Sequence, residues 1–220
     1  MDAALIINNV KRKVLQLYTY KVISIKTFSR CTKLALIFGI YMDMNTSNSL
    51  DSFVYWIKPK PPYVKLNTDG SVGLLRAGAG GLIRDSLGDI MAAFAAPLQL
   101  VDVIMAELNA LLMGLQLCLK IGVTFVWIEV DSLFLVQIIK DGVTGNAQYF
   151  YLIRKIKSLL NVLNFDISHI FREGNVCANL LANKGSSLVG YEEFDILNLE
   201  PSLKGMLLMD KASLPHIRYG

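Results

Sequence analysis

From residue 63 onward, hydrophobic and polar positions alternate in a regular series of short apolar runs and longer helical patterns. Residues 63–69 read as a first strand. Residues 70–78 form a turn region, and 79–85 predict a second strand. Ser86-Leu87-Gly88 fits a tight hairpin turn into a third strand at 89–95, which Pro97 is expected to stop. Residues 103–121 carry Leu, Met and Ala at three- and four-residue spacing and predict a long helix ended by Gly122. Residues 124–130, rich in β-branched and aromatic side chains, predict a fourth strand. A short helix at 132–140 closed by Gly142, a helix at 148–163, a fifth strand at 165–171 and a last helix at 175–186 complete the series. Three consecutive strands imply an antiparallel meander, and strands separated by helices must run parallel. The expected fold is α/β, a mixed five-stranded sheet with helices on its faces.

Upstream of this region the pattern is less regular. Residues 3–20 have helical patterning, Asn45-Thr46-Ser47-Asn48-Ser49 is a polar break, and Pro59-Lys60-Pro61-Pro62 is a stiff, extended linker. The expected organisation is an N-terminal segment at 1–55, one domain at 56–188 and a C-terminal tail at 189–220. The longest apolar run, 34–42, falls short of the roughly 18 residues of a membrane span, so no membrane partner is expected. Net charge is +4, and the excess lies upstream: residues 1–55 hold seven basic and three acidic residues, and 56–190 hold twelve and ten. No strong basic patch follows from this. Three cysteines, Cys31, Cys118 and Cys177, have no metal or redox spacing, which suggests inert thiols in an intracellular protein, nuclear or cytoplasmic.

The candidate chemistry lies in spaced carboxylates. Asp69 ends the first strand in Leu66-Asn67-Thr68-Asp69-Gly70-Ser71, and Asp131 ends the fourth in Ile128-Glu129-Val130-Asp131-Ser132. Glu107 sits in the apolar helical stretch Ala106-Glu107-Leu108. Carboxylates on a buried side are costly unless a cation neutralises them. Three that converge, with no His or Cys cluster beside them, imply Mg²⁺ or Mn²⁺. If the first and fourth strands are central neighbours, Asp69 and Asp131 lie side by side, and Glu107 leans over both. Such acids hold paired metal ions for in-line phosphoryl displacement. Each acid also has an ordinary reading. Asp69-Gly70-Ser71 is good turn chemistry, Asp131-Ser132 is a respectable helix cap, and Glu107 fits a surface helix position.

The ordered motifs resemble the type 1 ribonuclease H family, and most closely plant RNase H-like domains related to non-LTR retroelement polymerases. The stretches that carry the resemblance are Trp56-Ile57-Lys58-Pro59-Lys60-Pro61-Pro62, the run 64–71, and Ala77-Gly78-Ala79-Gly80-Gly81-Leu82-Ile83-Arg84-Asp85. They continue with Ala106-Glu107-Leu108-Asn109-Ala110-Leu111, the run 126–132, and His169-Ile170-Phe171-Arg172-Glu173-Gly174-Asn175. The resemblance implies an RNase H-like fold with strand order 3-2-1-4-5. It also implies two-metal cleavage of the RNA strand in RNA·DNA hybrids; a monomer is expected. Asp69, Glu107 and Asp131 correspond to the first three metal-binding acids. The fourth acid of the family is replaced by Asn179 in Ala178-Asn179-Leu180-Leu181-Ala182, which keeps an oxygen and loses a charge. This points either to weakened metal capture or to a decayed, non-catalytic binding module. His169 stands where many members carry a proton-transfer histidine, with a packed strand histidine as the alternative. No basic handle helix separates 140 from 148, so the candidates for hybrid grip are Gly70, Ser71, Arg76, Arg84 and Asn175, the 78–81 strand, and Arg154, Lys155 and Lys157. The glycines equally fit plain turn and edge-strand geometry, and Arg154 to Lys157 equally fit a solvated helix face.

Overall fold

Side chains alternate along each strand of a central sheet, and the computed structural model shows which elements cover its two faces. It describes residues 52–141 and 147–218, with isolated upstream positions at 10–12, 14–15, 37–38 and 40. The chain divides into two units, Met1–Asp51 with Tyr219–Gly220, and Ser52–Arg218; the elements below belong to the second. Of the helix expected at 3–20, residues 10–12 and 14–15 are helical, and the rest lies outside the described residues. The polar break at 45–49, most of the apolar run 34–42, Cys31 and Gly142 also lie outside them.

In chain order the strands and helices are β1 (Ser52–Val54), β2 (Val64–Val72), β3 (Ala77–Arg84), β4 (Ile90–Leu98), α1 (Val103–Lys120), β5 (Phe125–Val130), α2 (Leu133–Asp141) and α3 (Ala147–Leu160). There follow β6 (Asn164–His169), a 3₁₀ turn (Arg172–Gly174), α4 (Val176–Gly185), β7 (Glu192–Phe194), α5 (Pro201–Lys211) and β8 (His216–Arg218). The main sheet has order β6-β5-β2-β3-β4-β7. β2, β3, β4 and β7 pair antiparallel in turn, and β2–β5 and β5–β6 pair parallel. The five strands expected from the sequence therefore stand in the order 3-2-1-4-5. β7 adds a sixth strand on the β4 edge, and β1 and β8 form a separate antiparallel pair.

Two differences from the sequence reading have local causes. The folded unit extends on both sides of 56–188, because residues 52–54 and 189–218 contribute β1, β7, α5 and β8. Strands of three residues are too short to show a periodic pattern. Pro97 does not stop β4, which runs to Leu98 with Pro97 opposite Gly78. β7 pairs only as far as Ala95, so the missing N–H of Pro97 faces an edge with no strand to serve.

Helices cover both faces. One core joins Leu66, Ile128 and Val130 of the sheet to α1, α2 and α3 through Leu108, Leu111, Leu135 and Ile156. α1 has the length and apolarity of a membrane span, but its apolar side chains pack into this core. Asp102 caps it, accepting from Met105 N at 2.8 Å, and Gly122 follows at φ +77°. The second core places α4 and α5 on the other face, with Leu181, Leu203 and Leu207 against Leu82 and Ala93.

Glycines let α4 approach β3 closely. A Cβ on Gly78 would lie 2.3 Å from Ser186 N, and one on Gly80 would lie 2.2 Å from Ala182 N. Both contacts are with backbone, which cannot swing aside. Gly80→Ala is therefore expected to destabilise the fold by about 1–3 kcal/mol, read as a lower urea midpoint with an unchanged slope.

Candidate metal centre

Asp69 lies near the end of β2, and Asp131 directly follows β5, its parallel neighbour. β2 runs three residues past Asp69 into the expected turn region, because Gly70, Ser71 and Val72 still pair with β3, so the two acids sit toward the carboxyl ends of adjacent central strands. Glu107 comes from the second turn of α1, and Gly70 is what lets that helix pass over the strand. A Cβ there would meet Ala106 C at 2.5 Å and Glu107 N at 2.6 Å. One ligand oxygen from each of Asp69, Glu107 and Asp131 lies within 4.8 Å of the others.

This arrangement is electrostatically costly. Burial, followed by the Asp131 and Glu107 interactions, sets the Asp69 carboxyl: burial and the Asp131 charge push it up to about 6, and a hydrogen bond from Glu107 opposes that rise. Burial, then the charges of Asp69 and Asp131, push Glu107 up to about 9, and a hydrogen bond with Asp69 adds to that rise. Asp131 is raised by burial, while Arg172 and His169 pull it back. The second Glu107 oxygen, Oε2, is buried with no hydrogen-bond partner among the described residues. A divalent cation fits this donor set: it supplies the missing positive charge and a partner for the orphaned oxygen. Three carboxylates without nitrogen or sulfur suit Mg²⁺ or Mn²⁺.

Neighbouring groups hold the acids in place. Ser132 Oγ, not the Asp131 carboxylate, accepts from Leu135 N at 3.2 Å to cap α2, so the capping role falls to the serine. His169 Nε2–H donates to the Asp131 carbonyl at 3.2 Å, and its ring meets Phe171 edge-on at 5.4 Å. Asn179 is half-buried on α4; its Oδ1 accepts from Asn183 Nδ2 at 2.7 Å, and Asn183 Oδ1 accepts from Ser71 Oγ at 2.6 Å. That chain of side chains ties the Asn179 turn to β2 two residues past Asp69.

The sequence profile of the family described as reverse transcriptase-like matches residues 67–185, more than half of the chain. The chain belongs to this family. Its match begins within β2 and ends with α4, so it spans all three acids. A protein of Arabidopsis thaliana named "Putative ribonuclease H protein" is 32% identical over 158 residues, covering 69% of this chain. The chain spans only a quarter of the length of that relative. RNase H1 of the halophilic archaeon Halobacterium salinarum NRC-1 superposes with a TM-score of 0.53 at 21% identity, over 56% of this chain and 96% of its own. LC11-RNase H1, isolated from compost and solved in complex with an RNA/DNA hybrid, gives 0.53 at 23% identity, over 56% and 96%. These structural likenesses establish an RNase H fold.

Family membership does not place every expected residue at the site. Arg84 is buried, and its two terminal guanidinium nitrogens are committed within the fold. They donate to Asp210 Oδ2 at 2.6 Å and to Asn67 Oδ1 at 2.8 Å, the ring of Trp56 lies 3.5 Å away, and Nε is buried with no partner among the described residues. Asn175 is also buried, donating to the Thr68 carbonyl at 3.0 Å and accepting from Asn67 at 3.2 Å. Neither is available to a nucleic acid. Gly70 and the Gly78–Gly81 stretch lie under α1 and α4 or against core side chains, so their small size serves helix packing. Arg76 is exposed and Ser71 half-buried at the rim. Arg154 and Lys155 are exposed on α3, and Lys157 is half-buried.

Sequence reasoning missed two features. Arg172 is exposed, yet its charge reaches both Asp69 and Asp131. Behind the acids, Lys65 Nζ donates to Glu129 Oε1 at 2.9 Å and lies 3.5 Å from the Trp127 ring centroid. This pairing accounts for Glu129, which shares a strand face with Asp131 but stands outside the acid cluster.

Proposed function

We propose that this protein binds RNA·DNA hybrids and cleaves the RNA strand endonucleolytically, leaving 3′-hydroxyl and 5′-phosphate ends. The observation that carries this reading is the convergence of Asp69, Glu107 and Asp131 around a buried Glu107 oxygen without a partner. Mg²⁺ or Mn²⁺ held by these acids and by Asn179 would supply the nucleophile activation and charge stabilisation of phosphodiester hydrolysis. The protein's own part is to present deprotonated oxygens at fixed positions. Packing on Gly70 fixes Glu107, β2 and β5 fix the two aspartates, and His169 holds the backbone of Asp131. In this tautomer His169 Nδ1 is its basic atom. Exposed Arg172 brings to Asp69 and Asp131 a positive charge that suits phosphates.

The test is a panel of end-labelled substrates in Mg²⁺. The RNA strand of a hybrid should be cut, and duplex DNA, duplex RNA and single-stranded RNA should not. Equal cutting of duplex RNA would overturn the assignment.

Asn179 favours a second reading, a hybrid-binding module without turnover. Its carbonyl oxygen already accepts from Asn183, and it brings no charge to a metal ion. Hybrid binding with no cleavage, even in Mn²⁺, would select this reading. Under the first reading, Asn179→Asp is expected to lower the Mg²⁺ concentration for half-maximal cleavage by roughly tenfold, because a carboxylate attracts the cation and can still accept from Asn183. Identical Mg²⁺ curves for both forms would show that position 179 does not serve the ions.

A further inference from the structure

On the sheet face that carries Asp131, but toward the other end of the strands, lies a cleft of about 370 Å³. It is lined by Ile57, Lys58, Lys60, Tyr63, Trp127 and Asp166. Trp127 and Asp131 alternate onto the same face of β5, four residues apart, or roughly 13 Å along the strand. None of the lining residues takes part in the acid cluster, and four of the six precede the segment matched by the family.

Two features give the cleft a chemical character. Its aromatic rings are fixed before any ligand arrives. Trp127 Nε1 donates to Ser168 Oγ at 2.7 Å, with Lys65 Nζ 3.5 Å from its ring, and Tyr63 packs edge-on against Phe125 at 5.6 Å. Its cations are uncommitted: Lys58 and Lys60 form no ion pair among the described residues. Rigid aromatic surfaces beside unpaired lysines match a base attached to a phosphate. Asp166, paired beside Trp127 across β5 and β6, has one carboxylate oxygen on Ile167 N at 2.8 Å, and its other oxygen can accept from ribose hydroxyl or base amino donors.

We propose that this cleft binds an unpaired nucleotide of single-stranded RNA, with the base against Trp127 and Tyr63 and the flanking phosphates on Lys58 and Lys60. The choice of a nucleotide over an acidic peptide rests on the proposed function; the ring and lysine geometry does not. The cleft would hold a single-stranded extension of a hybrid, a contact separate from the acids.

Tryptophan fluorescence reports the site directly. The chain has two tryptophans, and Trp56 is 1% exposed, so quenching by a ligand reads Trp127. Octauridylate is titrated into the full chain in EDTA, which excludes cleavage. The wild type should bind with quenching. Lys58→Ala/Lys60→Ala, at a half-buried and an exposed position, should weaken binding about tenfold with the melting temperature retained. Losing two phosphate contacts should also flatten the slope of log affinity against log salt by about 1.4. Unchanged affinity and slope in the double variant, or binding without quenching, would overturn the proposal. So would quenching by polyglutamate but not by octauridylate. Blunt-ended hybrid cleavage separates the two claims. The double variant should match the wild type, and a parallel loss would assign these lysines to the hybrid grip instead. A wild type that binds octauridylate but cuts no hybrid would strike the proposed function and support the cleft.

Discussion

Asp69→Asn is expected to lower hybrid cleavage by on the order of 10²–10³, the scale for removing one preorganised electrostatic group. The same change should raise the melting temperature of the metal-free protein. Burial and mutual repulsion hold the acids above the ordinary carboxylate range, Asp69 at about 6 and Glu107 at about 9. Unfolded carboxylates titrate near 4. Between those values the folded state binds more protons than the unfolded one. The cluster's contribution to stability is therefore full below about pH 4 and is lost as pH rises toward 9. Removing one charge relieves part of that loss. On the proposed metal binding, Mg²⁺ would bind the deprotonated acids of the folded state, so its stabilisation should grow between about pH 6 and pH 9. Thermal melts with and without Mg²⁺ check this. A Mg²⁺ effect that shrinks with rising pH, or that is equal in Asp69→Asn, would contradict it.

Asp210→Ala should produce the largest loss of stability, roughly 3–5 kcal/mol, the scale for leaving one partner of a buried ion pair uncompensated. Asp210 is 2% exposed and takes Arg84 Nη1 at 2.6 Å on one oxygen and His216 Nε2 at 2.7 Å on the other. Without it, the Arg84 cation, itself 1% exposed, keeps only Asn67 and the Trp56 ring. That layer joins α5 and β8 to β2 and β3, so the loss should appear as one cooperative transition at lower urea. Asp210→Asn, which keeps an acceptor for Arg84, should cost less. If the alanine variant melts like the wild type, the residues past 188 do not help hold the fold.

Strand alternation carried much of the architecture in the sequence. Leu66 and Thr68 face α1, while Lys65, Asn67 and Asp69 face the other way, and this period of two is visible in the residues themselves. The end of β5 could be read the same way, with Glu129 and Asp131 on one face. Alternation does not reveal what covers a face. Arg84 read as a groove residue because its partner, Asp210, lies 126 residues away on α5. Asn175 stood in a recognisable motif, but its bonds to Thr68 and Asn67 cross more than a hundred residues. The glycines of β3 read as room for a hybrid, and the structure fills that room with helix α4 and core side chains. Arg172 had a signal in its place between His169 and Asn175, and its effect on the acids depends on the 3₁₀ turn that carries it. The acids were legible because each stands in an otherwise apolar or strand-forming stretch, Asp69 within β2, Glu107 within α1 and Asp131 just after β5. Ser132 capping and the Lys65–Glu129 pair required coordinates.

The most direct test of the account is divalent-ion binding itself. Mn²⁺ is titrated into the full chain at about pH 8 and followed by electron paramagnetic resonance, for the wild type, Asp69→Asn and Glu107→Gln. Saturable binding in the wild type, strongly weakened in both variants, is the predicted result. A wild type that binds no Mn²⁺, or variants that bind it equally well, would show that the three converging carboxylates are not a metal site.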